Sequence, residues 1–329
     1  MKYKIIIGFG ISAICIVFAF YRVDFGELLA SLSKADVLPL SVAVLLILLT
    51  QVIRSFRWKL LLASIKVTRV SNLLSATSIG AMADMILPAR MGDILRASVI
   101  GNKEKFSKVS SLATIVTERV FDVLTILVIW LLVVVFYELP VPAPASMDAI
   151  RTAGAIASAI CLLVMGALLV LKTRLDSIIR LFNALFTFLP DRWRIRLSES
   201  MASFAFGLQA IRFNWHLGII LLYSLLLWTA FALSNLFVLR ALHFNYHPAT
   251  AYFILLFQVL GVTLPSSPGF IGTYHAAVVA GLSAFDISFE QALSVAIVMH
   301  AAFFFPFIAF GLLFLWKENM SFSHIRSMN

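Results

Sequence analysis

Two breaks in long apolar segments bring charged, polar and helix-breaking residues together. The first break covers residues 85–96 and the second covers residues 264–272. The charged residues in or beside the first break are Asp84, Arg90, Asp93 and Arg96. Broken helices at membrane depth are tolerated only where they are buried in protein or line a cavity. A pair of them, one in each half of a chain, is the best sequence indication of a transport site.

The breaks predict anion binding at helix N-termini. If a helix begins after each break, its first N–H groups lack intrahelical partners and its dipole favours negative charge. Glycines at the breaks would let a phosphate approach the backbone, and Arg90 and Arg96 would donate bidentate hydrogen bonds. The residues that shape the breaks are Pro88, Gly92, Pro265, Pro268, Gly269 and Gly272. We therefore expect a phosphate-bearing headgroup of a membrane lipid as the ligand.

A further group of charges lies within the apolar run that follows the first break. Glu118 and Asp122 are four residues apart and share one helix face, with Arg119 beside them. A charge at membrane depth costs at least ~2.5 kcal/mol, so an unpaired one is not expected. We expect these acids, together with Asp84, to pair with arginines around the break. Structural ion pairs and a ligand site are both open interpretations.

The second break is followed by residues that can form hydrogen bonds with a headgroup. These are Ser267, Tyr274 and His275, with His300 on the last apolar run. A histidine titrates near neutral pH, so a proton relay at His275 is an alternative to a simple interhelical hydrogen bond.

Two arginines and a tryptophan close the second apolar run. Arg54, Arg57 and Trp58 are typical of a positively charged stop with an aromatic residue at the interface. In the alternative interpretation, Arg54 or Arg57 reaches a lipid headgroup because an arginine near a helix end can snorkel to the interface.

All of these residues need membrane-embedded elements to position them, and the composition predicts such elements. The chain is 61% hydrophobic and 13% charged, whereas soluble domains carry about 25% charge. Runs long enough to span a bilayer cover residues 5–21, 37–53, 112–137, 149–171, 216–239 and 291–316. The internally broken segments cover residues 70–90 and 249–285. We predict an all-α polytopic membrane protein with six spans and two opposed re-entrant helix pairs.

The distribution of Lys and Arg predicts the topology. Most of the 26 basic residues lie in hydrophilic stretches that the positive-inside rule assigns to the cytoplasm, together with both termini. Residues 4–137 and 149–316 then share one order of elements with opposite orientation, which predicts an inverted repeat within one transmembrane domain, 1–329. Residues 172–213, rich in basic and aromatic side chains, are expected to form an amphipathic connector on the inner leaflet. A solvated helical hairpin is the alternative for that connector.

Four motifs occur in order along nearly the whole chain. They are Arg54-x-x-Arg57-Trp58, Leu87-Pro88-Ala89-Arg90-Met91-Gly92-Asp93-x-x-Arg96, Glu118-Arg119-x-x-Asp122 and Pro265-x-x-Pro268-Gly269-Phe270-Ile271-Gly272. Together they resemble the transmembrane, flippase-like family named after lysylphosphatidylglycerol synthase. The resemblance implies a multi-pass protein of a bacterial or archaeal inner membrane that moves a lipid between leaflets. The soluble aminoacyltransferase domain of two-domain members is not expected here, and His275 stands where the family usually has a Glu.

The first functional expectation is a lipid flippase or scramblase whose partners are membrane lipids with anionic headgroups. The polar residues expected to contact the lipid are Arg57, Asp84, Arg90, Asp93, Arg96, Glu118, Arg119, Asp122, Ser267, Tyr274 and His275. A gradient-driven transporter of a small soluble anion and a non-transporting envelope-assembly protein are the alternatives. The sequence contains no Walker motif, nucleophile motif or metal-ligand spacing, so we expect no enzyme activity, cofactor or metal. The net charge of +10 reflects cytoplasmic loops rather than nucleic-acid binding.

Overall fold

A computed structural model describes residues 33–137 and 215–318, except for positions 64, 88–90, 265 and 286, together with residue 26 and scattered positions between 152 and 202. The predicted spans at 5–21 and 149–171, and most of the connector at 172–213, lie outside the described residues.

All regular structure in the described ranges is helical. The first range contains α1 (Val37–Leu62), α2 (Val70–Ile86), α3 (Gly92–Glu104) and α4 (Lys108–Phe136). The second range contains α5 (Trp215–Ala241), α6 (Pro248–Thr263), a 3₁₀ turn (Pro268–Phe270), α7 (Thr273–Leu282) and α8 (Phe289–Lys317). The order long, short, short, long occurs in both ranges.

Within the described ranges, three helices are long and apolar enough to cross a membrane: α1, α5 and α8. They carry exposed large apolar side chains, such as Leu45, Leu222 and Phe305, on their outer faces. In water such surfaces would be unfavourable, whereas lipid tails solvate them. The α4 helix, with 29 residues, is also longer than the roughly 20 residues that a bilayer requires. The chain is therefore a helical membrane protein.

Helix α1 extends well beyond the apolar run that predicted it. The predicted span ended at residue 53, but the helix continues to Leu62. Arg57 and Trp58 in this extension are fully buried. Both side chains therefore contact other helices of the bundle and do not lie on its outer surface.

Helices α2 and α3 form an antiparallel hairpin, hairpin 1. Asn72 near the start of α2 donates to Glu104 at the end of α3, at 2.6 Å. Close to the turn, Gly80 and Gly92 bring the two backbones together, since a Cβ atom on Gly92 would lie 2.2 Å from the carbonyl oxygen of Gly80. Both outer ends of hairpin 1 consequently lie on the same side.

Helices α6 and α7 form hairpin 2 in the same manner. A Cβ atom on Gly261 would lie 2.8 Å from the carbonyl oxygen of Thr273, and the rings of Phe253 and Phe285 meet near the open end at 5.8 Å. The turn needs glycine at Gly269 and Gly272, whose φ angles are +70° and +92°.

The two hairpins open toward opposite ends of α1. Hairpin 1 opens beside the C-terminal end of α1, where Lys66 donates to the carbonyl of Glu104. Hairpin 2 opens beside the N-terminal end, where the backbone of Asp36 donates to Ala241 at 2.8 Å. Their turns approach each other, since a Cβ atom on Gly269 would lie 3.2 Å from the carbonyl oxygen of Met85. This arrangement places the two breaks together inside the bundle.

Candidate anion-binding site

Arg57 is at the centre of a buried network of charges. Its Nη2 lies 2.7 Å from Glu118 Oε1 and its Nη1 lies 2.6 Å from Asp122 Oδ1. Nη1 also donates to Ser224 Oγ on α5 at 2.8 Å. The spacing of four residues places both acids on the face of α4 that meets α1. One arginine therefore joins three helices.

Arg96 of hairpin 1 shares Glu118 with Arg57. Its Nη1 lies 2.8 Å from Glu118 Oε2. The guanidinium stacks on Trp58, with Cζ 3.7 Å from the ring centroid, and the indole Nε1 donates to Thr114 Oγ1 at 2.9 Å. Among the described residues, neither Nε nor Nη2 of Arg96 has a hydrogen-bond partner, although both atoms are buried.

Arg119 forms the outer part of the network. Its Nε and Nη2 donate to the two carboxylate oxygens of Asp93 at 3.0 and 2.7 Å. Its Nη1 lies 3.3 Å from Asp122 Oδ2, and Trp228 Nε1 donates to the other oxygen of Asp122 at 3.2 Å. This is the half-exposed side of the network.

Arg54 adds a guanidinium for which the described part of the chain provides no carboxylate within ion-pair distance. It lies one turn before Arg57 on α1, within electrostatic range of Glu118 and Asp122, and its buried Nε has no hydrogen-bond partner there. We define the arginine cluster as Arg54, Arg57, Asp93, Arg96, Glu118, Arg119 and Asp122. It contains four guanidiniums and three carboxylates, so its formal charge is positive.

At the N-terminus of α3, one of the N–H groups that the sequence predicted to bind an anion has a partner within the chain. The backbone N–H of Gly92 donates to Asp84 Oδ1 at 2.8 Å. This carboxylate takes the position in which a ligand anion was expected. Close packing against Gly80 also explains Gly92 better than the approach of a phosphate does. Pro88 and Arg90 lie outside the described residues.

The predicted pairing of acids with arginines is present, and Arg57 is an additional partner that was not predicted. Glu118 pairs with Arg96, and Asp122 pairs with Arg119. From the sequence, Arg57 was expected to be a positively charged stop at the helix end or a headgroup contact, and its role as the central ion-pair partner was missed. Trp58, Ser224 and Trp228 were also missed in these roles. A polar residue within an apolar helix, such as Ser224, was the available signal.

Polar side chains around the second break form hydrogen bonds with its backbone and with one another. His275 caps α7 by accepting from the backbone N–H of Gly272 at 3.4 Å, and His300 Nε2 lies 2.8 Å from the carbonyl oxygen of Gly269. Tyr274 is buried and accepts a hydrogen bond from Gln258 Nε2 at 2.7 Å. Ser267 is partly accessible and donates to the carbonyl of Ile271. Pro265 lies outside the described residues.

The polar residues of the two breaks thus form two separate groups. The arginine cluster lies between hairpin 1 and the helices α1, α4 and α5. The rings of His275 and His300 meet edge to face beside the turn of hairpin 2, with their centroids 4.8 Å apart. Within the described residues, no group of histidine, cysteine or acidic side chains has the arrangement of a metal site. Chemically, the arginine cluster can bind an oxyanion, and the second group holds a turn.

The family model described as "Lysylphosphatidylglycerol synthase TM region" matches residues 5–311, nearly the whole chain. The chain belongs to this family. The match covers both hairpins and the arginine cluster, and it confirms the resemblance inferred from the four motifs. No solved structure matches the chain significantly.

The chain is similar to a protein of Haloferax volcanii that is named glycosyltransferase AglD. It is 26% identical over 328 residues, and the match covers 91% of this chain. The chain spans about half of the relative's length, 52%. The prediction that the chain is not an enzyme is contradicted by this relative, whose name is that of an enzyme. That prediction rested on missing motifs, which exclude only the chemistries that those motifs serve.

Proposed function

We propose that the chain moves a phosphate-bearing membrane lipid, a phospholipid or a polyprenyl-linked lipid, between the leaflets of a membrane. The observation that carries the proposal is the positive balance of the arginine cluster inside a helical membrane protein. A buried charge is unfavourable without a partner, so a cluster with one guanidinium in excess favours an anionic ligand. Arginine is the side chain best suited to phosphate because it is always charged and presents a planar fork of donors.

The opposed hairpins support a transport path rather than a static binding site. In many transporters, broken helices from two inverted repeats meet near the midplane and move relative to each other. Here, hairpins 1 and 2 open in opposite directions and their turns meet near Met85 and Gly269. The proposal includes the inverted repeat, the six spans and cytoplasmic termini in a bacterial or archaeal inner membrane.

The test is leaflet exchange of a fluorescent phospholipid in proteoliposomes containing the full chain. Arg54→Gln should slow exchange about tenfold or more, since a hydrogen bond to a charged group contributes about 1.5–3 kcal/mol. Arg54→Lys should retain part of the rate because it retains the charge. Lys59→Gln is the matched control, because it removes the same charge from the same helix outside the cluster.

Exchange at the wild-type rate in Arg54→Gln would contradict the proposed role of the cluster. No exchange of phospholipid or polyprenyl-phosphate probes by the wild type would contradict lipid translocation itself. Arg90→Ala in the same assay tests the residue that the sequence places in the first break, and we expect it to abolish exchange while the protein still inserts.

The named relative favours a second candidate, glycosyl transfer involving a membrane lipid. The 26% identity over 91% of the chain is the specific observation behind it. The test is to incubate proteoliposomes with a panel of radiolabelled nucleotide sugars and extract the lipids. Label in the lipid fraction that requires the protein would support transfer, and an unlabelled fraction with every donor would contradict it.

A further inference from the structure

Two of the four guanidiniums in the arginine cluster, those of Arg119 and Arg96, differ in what their Nε and Nη2 atoms contact. Arg119 donates from Nε and Nη2 to both oxygens of Asp93, which is a bidentate pair. Arg96 has the same two atoms, Nε and Nη2, buried and without a hydrogen-bond partner in the described part of the chain. Arg96 is only 2% exposed, so bulk solvent does not reach that edge.

The guanidinium plane of Arg96 is held in place on its other sides. Nη1 is engaged by Glu118 Oε2 at 2.8 Å, and the face is covered by Trp58 at 3.7 Å. Trp58 is itself fixed by its hydrogen bond to Thr114 and is fully buried. These contacts leave a single orientation in which the Nε and Nη2 edge points away from Glu118.

We propose that this edge of Arg96 is the binding fork for an oxyanion of a phosphate group, and that Trp58 is its positioning residue. In the pair of Arg119 and Asp93, the same two donor atoms bind two oxygens of one carboxylate. Two oxygens of a phosphate group can accept from Nε and Nη2 of Arg96 in the same way. Because the edge is buried, the anion reaches it only when the bundle opens beside Nε and Nη2, while the contacts of Arg96 with Trp58 and Glu118 are kept. The inference rests on the proposed function only in taking the phosphate to be that of a lipid.

Binding is measured on the purified full chain in detergent, with a short-chain phosphatidyl lipid as probe and the matching diacylglycerol as reference. Arg96→Lys keeps the charge but loses the planar fork, so the lipid affinity should fall about tenfold. Arg240→Lys, the same exchange at the far end of α5, should leave the affinity unchanged.

Trp58 variants separate positioning from folding. Trp58→Leu removes the aromatic face and should weaken binding about as much as Arg96→Lys, whereas Trp58→Phe keeps a face for the cation and should bind more tightly than Trp58→Leu. Thr114→Val removes only the hydrogen bond to the indole and should have a smaller effect than Trp58→Leu. Thermal unfolding of each variant without probe reports on folding independently of binding.

Two arms distinguish the source of the phosphate. Inorganic phosphate, compared with chloride at equal ionic strength, should raise the unfolding temperature of the wild type more than that of Arg96→Lys if the free anion binds. Binding of the phosphatidyl lipid without such an effect assigns the fork to a lipid headgroup.

Wild-type affinity for both probes in folded Arg96→Lys would overturn the proposed fork. If Arg96→Lys does not fold, equal binding by Trp58→Leu and Trp58→Phe overturns the positioning role. Leaflet exchange that depends on Arg54 but not on Arg96 overturns the fork alone. Binding that depends on Arg96 without any leaflet exchange overturns the proposed function alone.

Discussion

Arg57 shows how one side chain can hold a membrane bundle together. Its guanidinium contacts Glu118, Asp122 and Ser224, so it joins α1, α4 and α5 without access to solvent. Buried ion pairs of this kind contribute little net stability as a unit, but the loss of one partner leaves the others as uncompensated charges. Without Arg57, Glu118 would keep its contact with Arg96, and Asp122 would keep its contact with Arg119.

Arg57→Met should lower the free energy of unfolding by about 3–5 kcal/mol, because two buried carboxylates each lose a guanidinium partner. The measurement is reversible unfolding in mixed micelles. Lys59→Met on the same helix should stay within about 0.5 kcal/mol of the wild type, as surface substitutions do. A loss below ~1 kcal/mol in Arg57→Met would show that the remaining arginines compensate both acids.

At the scale of elements, the hairpins depend on glycines that allow backbones to touch. Gly80 and Gly92 face each other in hairpin 1, and Gly261 faces Thr273 in hairpin 2. Small residues serve this purpose in membrane helices because lipid provides no hydrophobic drive for association, so close packing must provide it. From the sequence, Gly92 was expected to let a ligand approach the backbone, and in the structure it packs against Gly80.

Gly92→Ala should destabilise the protein by about 1–3 kcal/mol, because its Cβ atom would lie 2.2 Å from Gly80 O and 2.5 Å from the carboxylate of Asp84. Gly218→Ala on α5 is the matched control, since in the described part of the chain no atom beyond its own helix backbone lies within 4 Å of the added Cβ. There, alanine should stabilise the helix by up to about 1 kcal/mol. Thermal unfolding in detergent measures both, and equal effects at the two sites would contradict the packing role of Gly92.

At the scale of the whole molecule, contacts outside the spans connect hairpin 1 to the last helix. Lys103 at the end of α3 pairs with Glu318, which follows α8. Partial burial alone would raise the pKa of Glu318, but the hydrogen bond and charge of Lys103 lower this pKa below its ordinary value of 4.5. The pair therefore joins the first described range to the second at the open end of hairpin 1.

This pair predicts an acid-dependent part of stability. Because the folded pKa of Glu318 is lowered, its contribution is present above pH 4.5 and is lost as the pH falls through the lowered value. Glu318→Gln should cost no more than about 1 kcal/mol at neutral pH, since the pair is partly exposed. Unfolding measured from neutral pH downward should show the two proteins converging in acid, and a constant difference would contradict the assignment.

The orientation in the membrane can be tested at two exposed valines near opposite ends of α1. Val37 and Val67 are 77% and 81% exposed. In a variant with Cys15 and Cys161 replaced by alanine, Val37→Cys should react with an impermeant maleimide in intact cells. Val67→Cys should react only after permeabilisation, because the positive-inside rule places it in the cytoplasm. The reverse pattern would contradict the proposed topology.

The sequence by itself determined the helical membrane class, the family and the positions of both breaks. Apolar run length, proline and glycine act locally, so the membrane class and the breaks can be inferred without tertiary contacts. The family was inferred from the resemblance of the four motifs. It also indicated that Glu118 and Asp122 share a face and need basic partners.

Only the tertiary structure decided which charges meet. Arg57, Arg96, Glu118 and Ser224 come from four helices, and their pairing depends on how those helices pack rather than on their spacing. The same packing buried Arg57 and Trp58, which the sequence placed at an interface, and put Asp84 on the N–H of Gly92 that a ligand was expected to take. A buried charge selects its partner by distance in the folded bundle, because attraction within a low dielectric is strong at short range and compensates desolvation only where the geometry is good.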